Sequence, residues 1–418
     1  MSRFKPILIQ DATLHNKGRT IKNDIHILDG YLTPYFQQRY IYHLSGYEER
    51  APHGVTVRFY ATYDRDVSHV PMGILNIPAV SAMIHFAWAV GVDVEVNELD
   101  ETYRQGLGRV KDIYKGNPAY YWLNLESDLV VKNSVEHTFK KQNRDALLFS
   151  GGLDSTASYL HHNPEQLIMI WGLDIPTGWK KYWAFVKEHY QDLPITSIQT
   201  NIHELYKYGL LAALGVNCAA GYYAGYNFNI ITFGACPPIT VGDVDTVMMS
   251  STFPIRQYGN PDYPFQNYKP HHLVSPNLGW ANIKTFDVET DCNRPEKIER
   301  FIKPYFEEHG PFPIRVCGNL KNLDTHGNRP IVLNCSQCDK CGRIIATLCN
   351  YGIDPNTCGF KVDEITFKRI KNHILNKKYN HNRVQYFWGE LLKHLDEDAP
   401  DIHGSKAFLE WLKEYWMV

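Results

Sequence analysis

The sequence predicts an α/β protein built around a parallel sheet, on three observations. Between residues 144 and 310, short apolar strand-like runs alternate with helical stretches. One of those runs ends in a glycine turn that opens directly into a helix. Hydrophobic residues make up 44% of the 418 and charged residues 21%, the balance of a chain with a sizeable buried core.

The strands are expected at 146–149, 166–171, 194–199, 229–233, 246–250 and 283–288, and the helices at 155–162, 178–190, 202–214, 217–225 and 296–303. Such alternation favours parallel strands covered on both faces, with ligands received at their carboxyl ends. Residues 1–143 read as an N-terminal α/β accessory module. Val55, Val57, Phe59 and Ala61 alternate in strand fashion; Pro78 stands where a helix starts and 79–90 is apolar nearly all round. Gly91 marks the stop, and 92–96 reads as the next strand. His85, inside that apolar helix, is read as a packed core histidine, and the module shows no catalytic constellation. Residues 254–276 are rich in Pro, Asn, Tyr and His without periodicity, the pattern of a lid or a long surface connection. From 359 to 418 the chain turns helical. Its stripes are Phe367, Ile370 and Ile374; Val384, Phe387, Trp388, Leu391 and Leu395; and Phe408, Leu409, Leu412 and Trp416. The chain therefore divides at 143/144 and 358/359.

Composition narrows the function. The formal net charge is −2, which advertises no polyanionic partner and weighs against nucleic acid. No apolar run is long enough to span a bilayer, and the start, Met1-Ser-Arg-Phe-Lys-Pro, lacks the core of a signal peptide. All nine cysteines fall after residue 217, an odd number that fits reduced thiols in a cytoplasmic protein. A cysteine-free N-terminal module also excludes a cysteine-dependent glutaminase there.

The chemistry concentrates in Ser150-Gly151-Gly152-Leu153-Asp154-Ser155-Thr156, set behind Ala146-Leu147-Leu148-Phe149. Adjacent glycines let backbone amides close on a ligand, since no Cβ intervenes. The following helix start offers unpaired N–H groups and a positive dipole end, an anion site. The Walker lysine is missing, so this is not the usual triphosphate cradle. Further on, Cys335-x2-Cys338-x2-Cys341 follows Cys317. Four thiolates suit tetrahedral Zn²⁺ in a closed structural site. The same donors suit an iron–sulfur cluster, and Cys292, Cys349 or Cys358 can replace Cys317 as the fourth. Cys218 and Cys236 read as core residues.

The run Ser150–Ser155 resembles the SGGxDS loop of the PP-loop ATP pyrophosphatases. With the cysteine cluster following it, residues 144–350 look like the 7-cyano-7-deazaguanine synthase family of the queuosine and archaeosine pathways. That resemblance implies ATP and Mg²⁺ as cofactors, Zn²⁺ in the cysteines, and a carboxylate substrate of the deazapurine class that is adenylated with loss of pyrophosphate. It places Leu148 to Thr156 around ATP, with Ser150, Gly151, Gly152, Ser155 and Thr156 on the phosphates. Asp154 would orient the loop or reach Mg²⁺; Asp174, Arg294 and Lys297 would contact substrate or pyrophosphate. Relatives occur in antiphage operons, where the activated acid could pass to a protein amine docked on the extra N-terminal module. RNA-thiolating enzymes and a non-catalytic nucleotide-binding scaffold are the rival readings.

Overall fold

The computed structural model describes residues 6–27, 55–116, 123, 125–173, 180–206, 228–252, 254–255, 272–317, 331–376 and 381–417. Its strands are β1 (Ile7–Ile9), β2 (Thr13–His15), β3 (Thr20–Ile27), β4 (Val55–Tyr63), β5 (Val94–Asp100), β6 (Leu129–Val135), β7 (Asp145–Leu148), β8 (Gln166–Trp171), β9 (Ile195–Thr200), β10 (Thr246–Ser250) and β11 (Lys284–Val288). All belong to one sheet in the order β11-β10-β7-β8-β9-β4-β3-β1-β5-β6, with β2 added against β3. Six of the ten pairings are parallel, so the protein is mixed α/β with a large, mostly parallel sheet.

The strands of the second half, β7 to β11, are all parallel. β7 is central, β8 and β9 extend to one side, and β10 and β11 to the other. This is the doubly wound order, in which successive crossovers reverse direction beside the first strand. The gap between β7 and β10 is the switch point, and the glycine turn leaves from β7 into it.

The sheet crosses the expected boundary at 143/144. β9 pairs antiparallel with β4, placing Tyr63 opposite Ile198 and Ala61 opposite Thr200. Asn201 reinforces the seam by accepting from the Tyr60 amide at 2.8 Å and donating to the Arg58 carbonyl at 2.8 Å.

Alternation along the strands builds two cores. Leu147, Leu167, Met169 and Met248 face helix α4 (Lys180–His189), where they meet Tyr182, Trp183 and Val186. Leu148, Ile168, Val247 and Met249 face the other way, into the core that also holds Phe59, Ile25 and Val96 from the first half. Helix α1 (Ile77–Val90) lies in that second core. It is apolar all round because it is buried all round, and it stops at Gly91 with φ 74°. His85 is 3% exposed, edge-on to Trp88 and to Tyr114 of helix α2 (Glu101–Lys115), as a packed core histidine should be.

One expected strand is a helix. Residues 229–233 lie in α5 (Phe228–Gly234), with every residue from Asn229 to Gly234 buried in the same core as α1. A short continuous apolar run carries no periodicity that separates a buried strand from a buried helix. The other five strands and the helices α3 (Leu153–His162), α4 and 294–309 stand within two residues of their expected starts, although the last runs six residues further. Helix α6 (294–309) is continuous through a π-turn at Ile298–Ile302. The expected helix at 217–225, most of 202–214, Cys218, and 256–271 of the unpatterned stretch lie outside the described residues.

The C-terminal helices α7 (Asp339–Asn350), α8 (Thr366–Leu375), α9 (His381–Leu392) and α10 (Ser405–Met417) share one core with Leu153 and Ala157 of α3 and Ile298 and Ile302 of α6. Phe367, Ile370, Ile374, Trp388, Leu391, Phe408, Leu409 and Leu412 are buried together, so these stripe positions are packing faces; the side chains of Val384 and Trp416 lie outside those described. Among the described residues no helix is long and apolar enough to cross a membrane.

Candidate functional site

The turn after β7 is held by its own serines and by a distant strand-like segment. Ser155 Oγ accepts from the Ser150 amide at 3.2 Å and donates to the Gly152 carbonyl at 3.2 Å, closing Ser150–Ser155 on itself. Gly151 adopts φ +69°, and its carbonyl accepts from Tyr190 Oη at 3.1 Å and from the Arg315 amide at 2.5 Å. A Cβ at Gly151 would stand 2.4 Å from Tyr190 Oη. Gly151→Ala should therefore combine a left-handed penalty of about 1–2 kcal/mol with that collision. Urea denaturation should show a loss of at least ~2 kcal/mol; unchanged stability would mean the turn is not built this way.

Gly152 is the N-cap of helix α3, so the first-turn amides of Leu153 to Ser155 have no intrahelical carbonyl. The described side chains fall into two groups. Leu148, Phe149 and Leu153 are core residues, and Thr156 is fully buried with no hydrogen-bond partner for its hydroxyl among the described residues. Ser150 and Asp154 are the less buried members that face outward from the turn.

Asp154 is the hub of a charge cluster. Arg294 Nη2 lies 2.8 Å from one carboxylate oxygen and Lys297 Nζ 3.5 Å from the other. Both cations come from the first turn of α6, fixed by a capping box between Asn293 and Glu296 and by Pro295. Lys297 is fully buried and also donates to the Ser251 carbonyl. Arg343 packs 3.9 Å over the Phe387 ring, and Arg294 sits 5.5 Å from the same ring. Burial pushes the Arg343 guanidinium down to about 10. Arg294, Arg343 and Phe387, with Thr252, Asn293, Thr347 and the acidic Glu390, line a cleft. Two cations thus converge on one carboxylate at a helix N-terminus, a place suited to an anion. Asp174, the remaining expected contact, lies outside the described residues.

Asp287 on β11 stands behind this cluster. Its Oδ1 accepts from Ser275 Oγ at 2.9 Å, while Oδ2 has no partner among the described residues. Burial pushes its carboxyl up to about 7, against the opposing pull of Ser275 and Lys297. An acid whose pKa rises on folding weakens the fold as pH climbs. The loss begins near the unfolded pKa of about 4, grows by ~1.4 kcal/mol per pH unit, and levels off above the folded value. Asp287→Asn removes it. Its stability advantage over the wild type should widen from pH 4 to pH 7 and then stay flat in urea titrations; a constant gap would contradict the burial of an ionisable group there.

Cys317, Cys335, Cys338 and Cys341 are brought together, every Sγ within 4.8 Å of the others. Cys335 and Cys341 sulfurs are 3.8 Å apart. A tetrahedron with metal–sulfur bonds of about 2.3 Å has edges of about 3.8 Å, so the set can hold a metal ion. None of the described cysteines is in a disulfide. Hydrogen bonds from the other three thiols drive Cys335 well below the usual thiol range, and the same crowding drives Cys338 and Cys341 above it. Ionising all four thiols at this spacing would need a cation among them. Cys292, Cys349 and Cys358 are buried outside the set, and Cys236 is a core thiol bonded to the Thr232 carbonyl.

Asn334 joins the two ligand segments. Its Oδ1 accepts from the amides of Val316 and Cys317, at 2.8 and 3.2 Å, and its Nδ2 donates to the Ile314 and Gly359 carbonyls. Two residues before Cys317 is Arg315, whose amide clamps Gly151. The cysteine cluster is thereby tied to the glycine turn. Sequence reasoning missed Arg315, Tyr190, Arg343 and Phe387. Tyr190 is 39 residues from Gly151 and meets it only through the sheet's fold; Arg343 had one signal, its place two residues after Cys341.

In comparisons with known proteins, no family model, curated protein or solved structure matches the chain.

Proposed function

We propose that this protein is an ATP-dependent, carboxylate-adenylating enzyme of the PP-loop kind, acting on a deazapurine acid such as 7-carboxy-7-deazaguanine. The observation that carries the reading is the location of the Ser150–Ser155 turn. It leaves the central strand of a doubly wound sheet at the switch point and opens a helix beside Arg294 and Lys297.

In that reading the amides of the turn and of the first turn of α3 hold phosphate oxygens, and Arg294 neutralises charge as pyrophosphate departs. Asp154 is already engaged by two cations, which favours its role in orienting them over direct capture of Mg²⁺. An oxygen of the substrate carboxylate attacks the α-phosphorus, and the bond from that phosphorus to the bridging oxygen breaks. An amine then attacks the acyl carbon and AMP leaves. No enzyme nucleophile is needed; positioning and charge neutralisation suffice. Mg²⁺, when bound, draws charge off the leaving pyrophosphate. Zn²⁺ fits the four thiolates better than a hard cation and leaves no open position, so its contribution is to hold the Cys317–Arg315 segment against Gly151.

The test is pyrophosphate release by the full chain with ATP, Mg²⁺ and 7-carboxy-7-deazaguanine, with ammonia or a candidate protein as acceptor. Release that depends on the acid supports the reading, and the acceptor that speeds turnover identifies the product class. No release with any acid supports a non-catalytic scaffold instead.

A further inference from the structure

His161, His162 and Glu289 converge on the opposite end of α3 from Asp154. Glu289 follows β11 and its side chain is 1% exposed, whereas His161 and His162 are 47% and 31% exposed. His161 Nδ1 lies 3.2 Å and His162 Nε2 2.7 Å from the same carboxylate oxygen. One ligand atom from each of the three falls within 4.8 Å of the other two. Consecutive helical residues point about 100° apart, so two neighbouring imidazoles reach one oxygen only where their rings are turned inward. Here the rings lean together, centroids 4.4 Å apart, and His161 is stacked on Phe301 at 4.3 Å.

The carboxylate is held as a metal-binding carboxylate is. Its other oxygen accepts from Ser158 Oγ, and Ser250 Oγ donates to Ser158 Oγ at 2.6 Å. Outer hydrogen bonds of that kind fix the ligand and leave one oxygen for an ion. Glu289 also holds a left-handed backbone with φ 47°, a conformation that a glutamate adopts at a price and that recurs at functional positions. The N···O separations of 3.2 and 2.7 Å are those of hydrogen bonds between the rings and the carboxylate; a tetrahedral shell with bonds of about 2.0–2.2 Å has edges of about 3.4 Å, so the ligand atoms part by a few tenths of an ångström to admit an ion.

We propose that His161, His162 and Glu289 bind a borderline divalent transition-metal ion, Zn²⁺ or Co²⁺, in an open site distinct from the four-cysteine set. Two imidazoles and a carboxylate match such ions in softness, and three protein ligands leave a position for water on the exposed side of the histidines. The site does not depend on the adenylation reading.

The experiment uses the full chain with its cysteine set filled by zinc, titrated with Co²⁺. The wild type should take up one further equivalent, with the weak visible bands of nitrogen and oxygen ligands and without thiolate charge transfer. His161→Gln/His162→Gln, which keeps donors for the buried Glu289 carboxylate, should lose that equivalent while keeping the first metal. Ser158→Ala should weaken it ten- to hundredfold, about the effect of removing an outer hydrogen bond. No second equivalent in the wild type, or one that survives in the double histidine variant, overturns the proposal.

Discussion

Asp154→Ala is expected to lower the proposed ATP-dependent pyrophosphate release about a hundred- to a thousandfold, ~3–4 kcal/mol of lost transition-state stabilisation. Asp154 aims Arg294 and Lys297, and without it both cations lose the anchor that fixes them at the helix N-terminus. Lys297 is fully buried, so the same change strands a buried charge and costs about 3–5 kcal/mol of stability. Asp154→Asn separates the two effects. It keeps the side-chain shape and an oxygen to accept from Arg294, so it should melt closer to the wild type while turnover still falls at least tenfold. Wild-type turnover in a folded Asp154→Asn would remove the carboxylate from the chemistry.

With a metal in the four-cysteine set, as proposed, its removal is expected to give the second large effect. Stripping the cysteine set with a strong chelator, or Cys335→Ser, should lower the melting temperature by about 10 °C or more, because structural thiolate sites contribute on the order of 10 kcal/mol. The loss should reach the glycine turn. Cys317 is held with Asn334, and Arg315 two residues earlier clamps Gly151. Hydrogen exchange should therefore speed up at 150–155 as well as at 335–341 when the metal leaves. Exchange confined to the cysteine loop would show that the two are mechanically independent.

Most of the strand and helix order was legible because its signals are local. The β7 turn, the Gly91 stop and the Cys335–Cys341 spacing each rest on residues within one short window. The helix at Phe228–Gly234 was not, because a seven-residue apolar segment buried on all sides has no polar face to reveal its period. The seam between β4 and β9 was equally invisible: Asn201 binding Tyr60 spans 141 positions, and no pattern within either strand names its partner. At the site, Arg294 and Lys297 were legible only through a resemblance, whereas Arg315, Tyr190 and Arg343 owe their roles to backbone and ring contacts that any residue order can hide. The His161-His162 pair gave no signal without Glu289, which lies 127 residues beyond His162.

The proposed function stands or falls with whether the turn Ser150–Ser155 grips the phosphates of a nucleotide. It is tested most directly by a crystal structure of the full chain with Mg²⁺ and an ATP analogue whose α,β-bridge cannot be cleaved. Phosphate oxygens should lie against the amides that follow Gly151 and within reach of Arg294. A nucleotide bound elsewhere, or none bound at saturating concentration, would contradict it.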